Sequence, residues 1–467
     1  MSTKRISVVE VILWIFIIVL VLLSLTPLAL GFKIKSDYSL MISELSEVLQ
    51  VDVQITEYEQ GLFSSDSVLS VKLPTMDKPV LFREEIVHGP VYFGLLSQGQ
   101  SPLVAAVIKG RIDHSALNPA IIQKLFGENT PFTYQNIVQF SGDVSVQAYL
   151  PPINASFESE GDQFNVQSSG LVFNENYSPV DGRFSGEALI PKLKVQTPLY
   201  TISGHSVNVS FSAKMGENQI LIGDTVISIN VFDLTSGEDQ FALRDLTVRT
   251  ITSESGSLIN SGIDVSVQEI LASNQKFGPA KLVFKLDGIS AQSLNQLQLI
   301  QDEVAEMHEK GLPPEQINSM MTGQIMGIVP DLIKQAAVKV KPLSVSSELG
   351  KLQADMDFTL KGIDADTPAD PIFLLGAVSM NLNVSIDEAL LKQFISWELQ
   401  GSESENGLPL NQRVSENIQG MVSDNWLKRS AGGYVSKISM HDGQLLINEK
   451  AVDPMQQIMS TMGGVEH

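Results

Sequence analysis

The chain has 467 residues, and its 31 lysines and arginines against 53 aspartates and glutamates give a net charge of −22. Such a charge repels nucleic acids and anionic lipid surfaces, so no nucleic-acid partner is expected. The apolar content of 43% favours a folded chain over a disordered one. Because the sequence contains no cysteine, disulfides, Cys-ligated metals and lipid attachment through an N-terminal cysteine are excluded.

The only long apolar run lies at residues 11–32, where VILWIFIIVLVLLSLTPLALGF contains no charge. A helix of this length, at about 1.5 Å per residue, crosses a hydrocarbon core about 30 Å thick. Lys4 and Arg5 precede the run, and a basic leader stays on the cytoplasmic side. We predict a cytoplasmic leader at residues 1–10, a transmembrane anchor at residues 11–32 and export of everything beyond. The alternative is a cleaved signal peptide, whose apolar region is usually only about 7 to 15 residues.

From about residue 50 to residue 289, apolar and polar residues alternate with the period of a β-strand. Glycine, asparagine, aspartate and proline separate these runs, which predicts a long antiparallel succession of strands with one apolar face each. Representative runs are Val51, Val53 and Ile55 near the start, and Leu282, Phe284 and Leu286 near the end.

The stretch YEQGLFSSDSVLSVKLP, residues 58–74, interrupts this alternation. It predicts a turn or bulge between a strand at Val51–Glu57 and a strand at Ser67–Leu73. Gly61 is expected to accept a backbone geometry that a residue with a Cβ would not. Phe63 is expected to fill the turn as an apolar plug.

The serines of this stretch, Ser64, Ser65 and Ser67, could hold a nucleophile. No histidine or lysine stands at an informative spacing and no G-x-S-x-G frame surrounds them, so the pattern favours turn chemistry. A second glycine motif, HGP, follows downstream, where glycine accepts the restriction that proline places on its neighbour. The structural motif residues of this region are Tyr58, Gly61, Phe63, Ser64, Ser65, His88, Gly89 and Pro90.

Two amphipathic helices are predicted after the long β region. Apolar residues recur at spacings of three and four from Leu294 to Met307, and Gly311 and Pro313 end that helix. A second helix follows at Pro314–Ile328. Their apolar stripes favour packing against a sheet over contact with a lipid or a partner helix.

The C-terminal part combines strands with shorter helices near Glu388–Trp397 and Asn411–Leu427. A hairpin with Asp442-Gly443 at its turn follows, and a short helix at Pro454–Met462 ends the chain. The predicted fold class is α+β and β-dominated: a transmembrane helix, then long antiparallel β-meander sheets that curl into a groove, with a few amphipathic helices. We divide the exported chain into a β-rich lobe at residues 33–289 and a mixed helix and strand lobe at residues 290–467.

Five motifs follow the apolar run in a fixed order: YEQGLFSS, IVHGPVYFG, FGPAKLVFKLDGIS, KVKPLSVSSELGKL and HDGQLLIN, starting at Tyr58, Ile86, Phe277, Lys339 and His441. In this order the sequence resembles the YdgA-like family of Gram-negative bacterial envelope proteins over nearly the whole exported chain. The resemblance implies a single-pass inner-membrane protein with a cytoplasmic N-terminus and a large periplasmic part. It brings no catalytic or binding residues.

The sequence contains no recognisable catalytic constellation. Its six histidines are scattered, and there is no H-E-x-x-H, no P-loop and no G-x-G-x-x-G after a strand. We therefore expect no enzyme activity, no cofactor and no metal site.

Two functions remain. In the first, the strands form a trough whose apolar face, represented by Leu282, Phe284 and Leu286, binds lipid or another hydrophobic ligand. In the second, helices close the sheet, and the protein is a periplasmic scaffold or assembly factor that contacts an envelope protein or a second copy of itself. Because the predicted strands outnumber the helices that could cover them, the first is favoured.

Overall fold

The structure is a computed structural model. It describes residues 35, 38, 39, 42, 51–72, 79–113, 119–159, 162–237, 239–272, 275–309, 312–360, 376–400 and 408–452. The predicted leader and anchor at residues 1–10 and 11–32, and the predicted helix at residues 454–462, lie outside these ranges. None of the helices in the described ranges combines the length and apolar character that a membrane span requires.

The chain divides into two compact units, Met1–Ser212 and Ala213–His467. Residue 289, where the sequence analysis divides two lobes, lies in a strand of the second unit. Within both units, the described residues form mainly long strands with a few helices. The predicted β-dominated α+β class with extensive antiparallel pairing is confirmed.

The first unit begins with helical residues at Lys35, Tyr38, Ser39 and Ile42. Its elements are β1 (Asp52–Gln60), β2 (Ser64–Lys72), β3 (Val80–His88), a 3-10 helix (Phe93–Gln98), β4 (Ala106–Asp113), α1 (Pro119–Phe126), β5 (Thr133–Val138), β6 (Val144–Leu150), β7 (Ile153–Ser159), β8 (Asp162–Ser168), β9 (Leu171–Ser178) and β10 (Arg183–Gln196). A further strand, β11 (Thr201–Met215), crosses the boundary between the units.

The strands of the first unit pair antiparallel in the order β1-β2-β3-β4-β5-β6-β9-β10. β7 and β8 extend the β6–β9 pairing, and β8 also pairs with β10. One face of this sheet carries a core of Val53, Leu69, Ile86 and Ile108, on which Tyr38 and Ile42 pack. The other face carries charged side chains over the middle of its strands.

The second unit continues with β12 (Leu221–Ser236), β13 (Asp239–Ser255), β14 (Leu258–Val267), β15 (Glu269–Ala272), β16 (Gln275–Ser290), α2 (Ala291–Glu309), α3 (Pro314–Ile333), β17 (Ala337–Ser347), β18 (Gly350–Leu360), β19 (Val378–Asp387), α4 (Glu388–Gln400), α5 (Leu410–Ser423), β20 (Lys428–Ser430), β21 (Gly433–His441), β22 (Gln444–Ile447) and β23 (Lys450–Val452). The helices lie where the spacing of apolar residues predicts them.

The strands of the second unit form an antiparallel succession in the order β12-β13-β14-β16-β17-β18-β19-β21-β22-β23. β15 prolongs β14 between β13 and β16, and β20 pairs with β21. The β21–β22 turn has Asp442 and Gly443 at φ 51° and 75°. Two successive residues with positive φ are the geometry of a type I′ turn, which confirms the predicted hairpin.

The predicted break between the first two strands is a short hairpin turn. β1 runs to Gln60 and β2 starts at Ser64, so both strands reach further than the alternation indicates. A bulge between Ile55 and Glu57 preserves the pairing. The predicted plug is wrong: Phe63 is 55% exposed, because it sits at the tip of the turn and no sheet face lies beneath it.

The two glycines of the sequence motifs lie where backbone atoms leave no room for a side chain. A Cβ on Gly61 would lie 2.5 Å from the carbonyl oxygen of Ser64, whereas one on Gly89 would lie 2.0 Å from that of Val104. Gly89 also donates its N–H to Ala105, at 2.8 Å. Close backbone approach, and not a positive φ, therefore requires glycine at both positions.

We expect Gly89→Ala to lower the free energy of unfolding by at least about 1 kcal/mol, because the added methyl group must displace the strand that follows. Calorimetry of the detergent-solubilised chain measures this loss as a lower Tm. Gly420→Ala is the control, since nothing lies within 4 Å of a Cβ there and alanine favours the helix. Equal Tm values for both variants would contradict the close-contact explanation.

Candidate functional site

The predicted ligand residues Leu282, Phe284 and Leu286 lie on one face of β16, in the middle of the second unit's sheet. Side chains that are directly paired across antiparallel strands share a face. The pairing therefore extends each of the three positions into a row across neighbouring strands. We call the surface made by these three rows the apolar face.

Each row of the apolar face crosses several strands. The central row contains Ile263, Phe284, Val340, Met356, Leu382, Ile438 and Ile447. The row on one side contains Val248, Val265, Leu282, Leu343, Ala354 and Val384. The row on the other side contains Leu286, Val338, Phe358, Met380, Met440 and Leu445. None of these residues is charged, so the face offers apolar contact and no acid–base chemistry.

Helices cover one end of this face. Phe277 and Tyr434 of the sheet form a core with Leu390 of α4 and Val414 of α5. The ring of Phe277 lies 5.4 Å, centroid to centroid, from that of Trp397. This end of the sheet is sealed by ordinary core packing.

Around β14 and β16 the apolar face is partly accessible, whereas Met440 and Ile447 of the same rows, on β21 and β22, are buried. Leu282, Phe284 and Leu286 are only half-buried. Ile263, which pairs with Phe284, is 39% exposed. Side chains at the centre of a sheet sealed by helices would be buried, so part of this face stays open within the described residues.

The opposite face of the same strands is charged. Lys281 and Asp264 lie 3.4 Å apart, and Lys339 and Asp287 lie 3.1 Å apart, in ion pairs between neighbouring strands. These pairs are partly exposed to solvent. The sheet is therefore amphipathic: water solvates one face, while the other requires a covering group.

The first unit contains a different kind of surface, an open trough of about 1020 Å³ over the charged face of its sheet. Arg83 and Asp113 form an ion pair at 2.7 Å, and Lys109 lies 3.7 Å from Glu85. Arg111 has no ion-pair partner among the described residues. Carboxylates, guanidinium groups and amides line this trough together, so it suits polar groups and not acyl chains.

A buried carboxyl group lies beneath the trough, on the core side of the sheet. Glu84 is 5% exposed and accepts hydrogen bonds from the hydroxyls of Tyr38 and Tyr134. Burial raises the pKa of Glu84, although the two tyrosine hydrogen bonds act in the opposite direction. Burial and then the neighbouring Glu84 charge raise the pKa values of both tyrosines.

The sheet register explains how this cluster forms. Glu84, Gly110 and Tyr134 are directly paired on β3, β4 and β5. A Cβ on Gly110 would lie 2.0 Å from the Tyr134 ring, so the glycine lets the ring cross β4 and reach the carboxyl group. Tyr38 arrives from the helical residues before β1. The cluster thereby ties the start of the described chain to the sheet.

Another buried polar pair joins the two sequence motifs of the first unit. The Ser65 hydroxyl and Nε2 of His88 are 2.9 Å apart in a hydrogen bond. Ser65 is 0% exposed and His88 is 3% exposed. The fold therefore brings a serine and a histidine together, although their spacing in the sequence did not indicate it. Both side chains are enclosed, so neither is accessible to a substrate in this structure. Ser64, on the other face, and Tyr58 are half-buried.

We expect Glu84→Gln to remove one pH dependence of stability. A raised pKa favours the protonated carboxyl group in the folded state, so stability is full below the unfolded value of 4.5 and falls as pH rises through the folded pKa. Urea unfolding of the two chains should coincide at low pH, and the wild type should lose relative stability toward neutral pH. Glu85→Gln, on the charged face, is the control. If the difference in unfolding free energy between Glu84→Gln and the wild type did not change with pH, burial would not be the dominant influence on the pKa of Glu84.

Comparison with known proteins places nearly the whole chain in one family. The family described as "Bacterial protein of unknown function (DUF945)" matches residues 8–455. Protein YdgA of Escherichia coli (strain K12) is 23% identical over 437 residues, and the match covers 84% of each chain. No solved structure matches. The chain therefore belongs to the YdgA-like, DUF945 family of bacterial proteins, whose function is unknown.

Proposed function

We propose that this protein is a non-catalytic component of the bacterial cell envelope that binds the acyl chains of lipid, or a similar hydrophobic ligand, on the apolar face of its second unit. Residues 11–32 anchor it in the inner membrane, residues 1–10 stay in the cytoplasm, and the rest of the chain is periplasmic. The observation that carries the proposal is the set of three uncharged rows around Leu282, Phe284 and Leu286, left half-buried in the middle of a sheet.

The extent of the apolar face supports a long, flexible ligand. Its central row joins β14, β16, β17, β18, β19, β21 and β22. Its last member, Ile447, is buried, so the accessible part of the row runs from Ile263 on β14 to Ile438 on β21. Strands lie about 4.8 Å apart, so this part spans about 24 Å. Soluble proteins seldom leave more than a few hundred Å² of continuous apolar surface without a use. The outer rows of the apolar face end in Ser261, which pairs with Leu286, and in Ser436, which pairs with Val384, and the rest of the face is apolar. An extended acyl chain matches a surface that is long, narrow and mainly apolar.

The serine and histidine pair supports a non-catalytic role. A nucleophile must reach its substrate, whereas Ser65 and His88 are both enclosed in the first unit. Their hydrogen bond satisfies two buried polar groups, which is the ordinary reason for such a pair. A scaffold function would use the same apolar face to hold a partner's apolar segment, and the ligand experiment below separates the two functions.

We expect Phe284→Asp to reduce lipid binding at least several-fold, because an aspartate in the central row introduces an unpaired charge where an acyl chain lies. Cells that express the full chain are fed a photoactivatable fatty acid, and the cells are then irradiated to cross-link bound lipid to the protein. Mass spectrometry should find lipid adducts on peptides of β14, β16 and β17, which distinguishes them from adducts on the anchor.

Lys285→Asp is the matched control, since it places the same residue one position away on the exposed, charged face. It should keep the wild-type adducts. A Phe284→Asp chain that melts like the wild type and carries the same adducts would remove the lipid proposal. Cross-links from the apolar face to a second protein, with none to lipid, would instead support the scaffold function.

The topology proposal has a separate test. Alkaline phosphatase fused to the C-terminus should be active, because everything beyond residue 33 is exported, and a cytoplasmic reporter at the same place should be silent. The chain should migrate on a gel at its full 50.9 kDa. Activity of the cytoplasmic reporter alone would reverse the orientation, and a shorter mature chain would indicate cleavage.

A further inference from the structure

We propose that one end of the first unit's sheet inserts exposed apolar side chains into the surface of the bilayer. We call this end the turn end and define it by the connections at residues 61–63, 89–105, 139–143 and 179–182. The inference rests on the membrane anchor of the proposed function. It adds a second membrane contact, made by folded residues that follow the anchor.

The sheet register places these four connections along a single edge. His88, Ala106, Val138, Val144 and Tyr177 form one cross-strand row, through β3, β4, β5, β6 and β9. His88 also donates its backbone N–H to the carbonyl oxygen of Phe63, at 2.8 Å, which brings the β1–β2 turn to the same edge. Each connection leaves the sheet at or next to this row.

The turn end concentrates exposed apolar side chains. Seven large apolar side chains described in this unit are more than half exposed, and six of them lie here. The six are Phe63 at 55%, Phe93 at 73%, Leu96, Leu103 and Phe140 at 57% each, and Val180 at 81%. The seventh, Leu199 at 74%, lies in the turn that follows β10 at the other end. Three of the connections carry these side chains at tight turns, while Phe93 and Leu96 lie on the 3-10 helix, whose Leu95 packs on Val107 and Ile137. Four separate connections at one edge share this property, so a single flat partner is the simplest cover.

The start of the chain identifies the bilayer as that partner. Lys35 is the first described residue, and its Nζ lies 5.1 Å from the ring centroid of Tyr58. Tyr58 is two residues from the end of β1 at the turn end. Lys35 lies three positions after Phe32, the last residue of the predicted anchor, and three peptide links reach at most about 11 Å. The predicted anchor therefore lies within about 11 Å, along the chain, of a lysine whose side chain contacts β1 near its turn.

The chemistry of the tips fits this surface. Phenylalanine, leucine and valine gain free energy when they enter the boundary between headgroups and acyl chains. The chain's net charge of −22 gives no general attraction to anionic lipid. Contact at the turn end must therefore come from apolar insertion, and zwitterionic lipid is sufficient for it.

The absence of cysteine from the sequence makes a direct test practical. Single variants Phe140→Cys and Val180→Cys are labelled with an environment-sensitive fluorophore in the full chain, reconstituted into phosphatidylcholine vesicles. We expect a blue-shifted emission that a nitroxide on the lipid acyl chain quenches. Leu199→Cys is the matched control, since it is equally exposed and apolar but lies at the other end, and it should be neither shifted nor quenched.

Each other result overturns the inference in a recognisable way. A chain that floats with the vesicles while labels at positions 140 and 180 behave like the label at position 199 removes the second contact and leaves the anchor. A chain that does not float without detergent removes the anchor and the contact together. A blue shift without lipid quenching assigns the turn end to a second copy of the chain. Lipid adducts on β16 do not depend on any of these outcomes.

Discussion

The alternation of apolar and polar side chains along very long antiparallel strands is the constraint that shapes this protein. β12, β13 and β16 have 16, 17 and 16 residues. A strand of that length is several times longer than the width of a helix, so one helix lying across it covers only part of it. Side chains on such strands alternate between faces, so each sheet acquires one extended apolar surface. Burial of that surface stabilises the fold, and whatever part the helices leave uncovered determines what the protein can bind.

The two units resolve this constraint differently. In the first unit, Tyr38 and Ile42 pack on the apolar face, while the charged face remains open as a trough. In the second unit, α4 and α5 seal the end around Phe277, and α2 and α3 also contact β16. Ion pairs such as Lys281–Asp264 solvate the opposite face. The same strand pattern therefore leaves a polar surface open in one unit and an apolar surface in the other.

Local signals predict the elements of this fold well. Period-two alternation identifies strands around Val53 and Phe284, while spacings of three and four identify α2 and α3. The Asp442-Gly443 pair predicts its turn because positive φ values are required at both positions. Strand ends are less certain, since hydrogen bonds to a partner strand prolong a strand beyond its apolar residues, as in β1 and β2.

Contacts that depend on strand register are not visible in the sequence. Glu84 meets Tyr38 and Tyr134 from 46 and 50 residues away, and Ser65 meets His88 from 23. The Ser65–His88 contact requires the pairing of β2 with β3, and the Glu84–Tyr134 contact requires that of β3 with β4 and β5. A slip of one residue would abolish either contact by turning the side chains to the other face. Tyr38 comes from helical residues before β1, and no local pattern indicates its contact with Glu84. One signal was available: Glu84 is a carboxylate where the strand alternation places a buried side chain.

The buried carboxyl group connects the core of the first unit to the proposed membrane contact. A charge that is buried without a compensating partner is costly, and here the partners are tyrosines on two separate parts of the chain. One of them, Tyr38, lies three residues beyond Lys35, so the hydrogen bond that satisfies Glu84 also holds the first described residues, which follow the predicted anchor, against the sheet. A freely rotating tether would let the exposed tips face any direction. A tether fixed at Tyr38 limits that freedom, and the proposed contact of the turn end with the bilayer depends on this restriction.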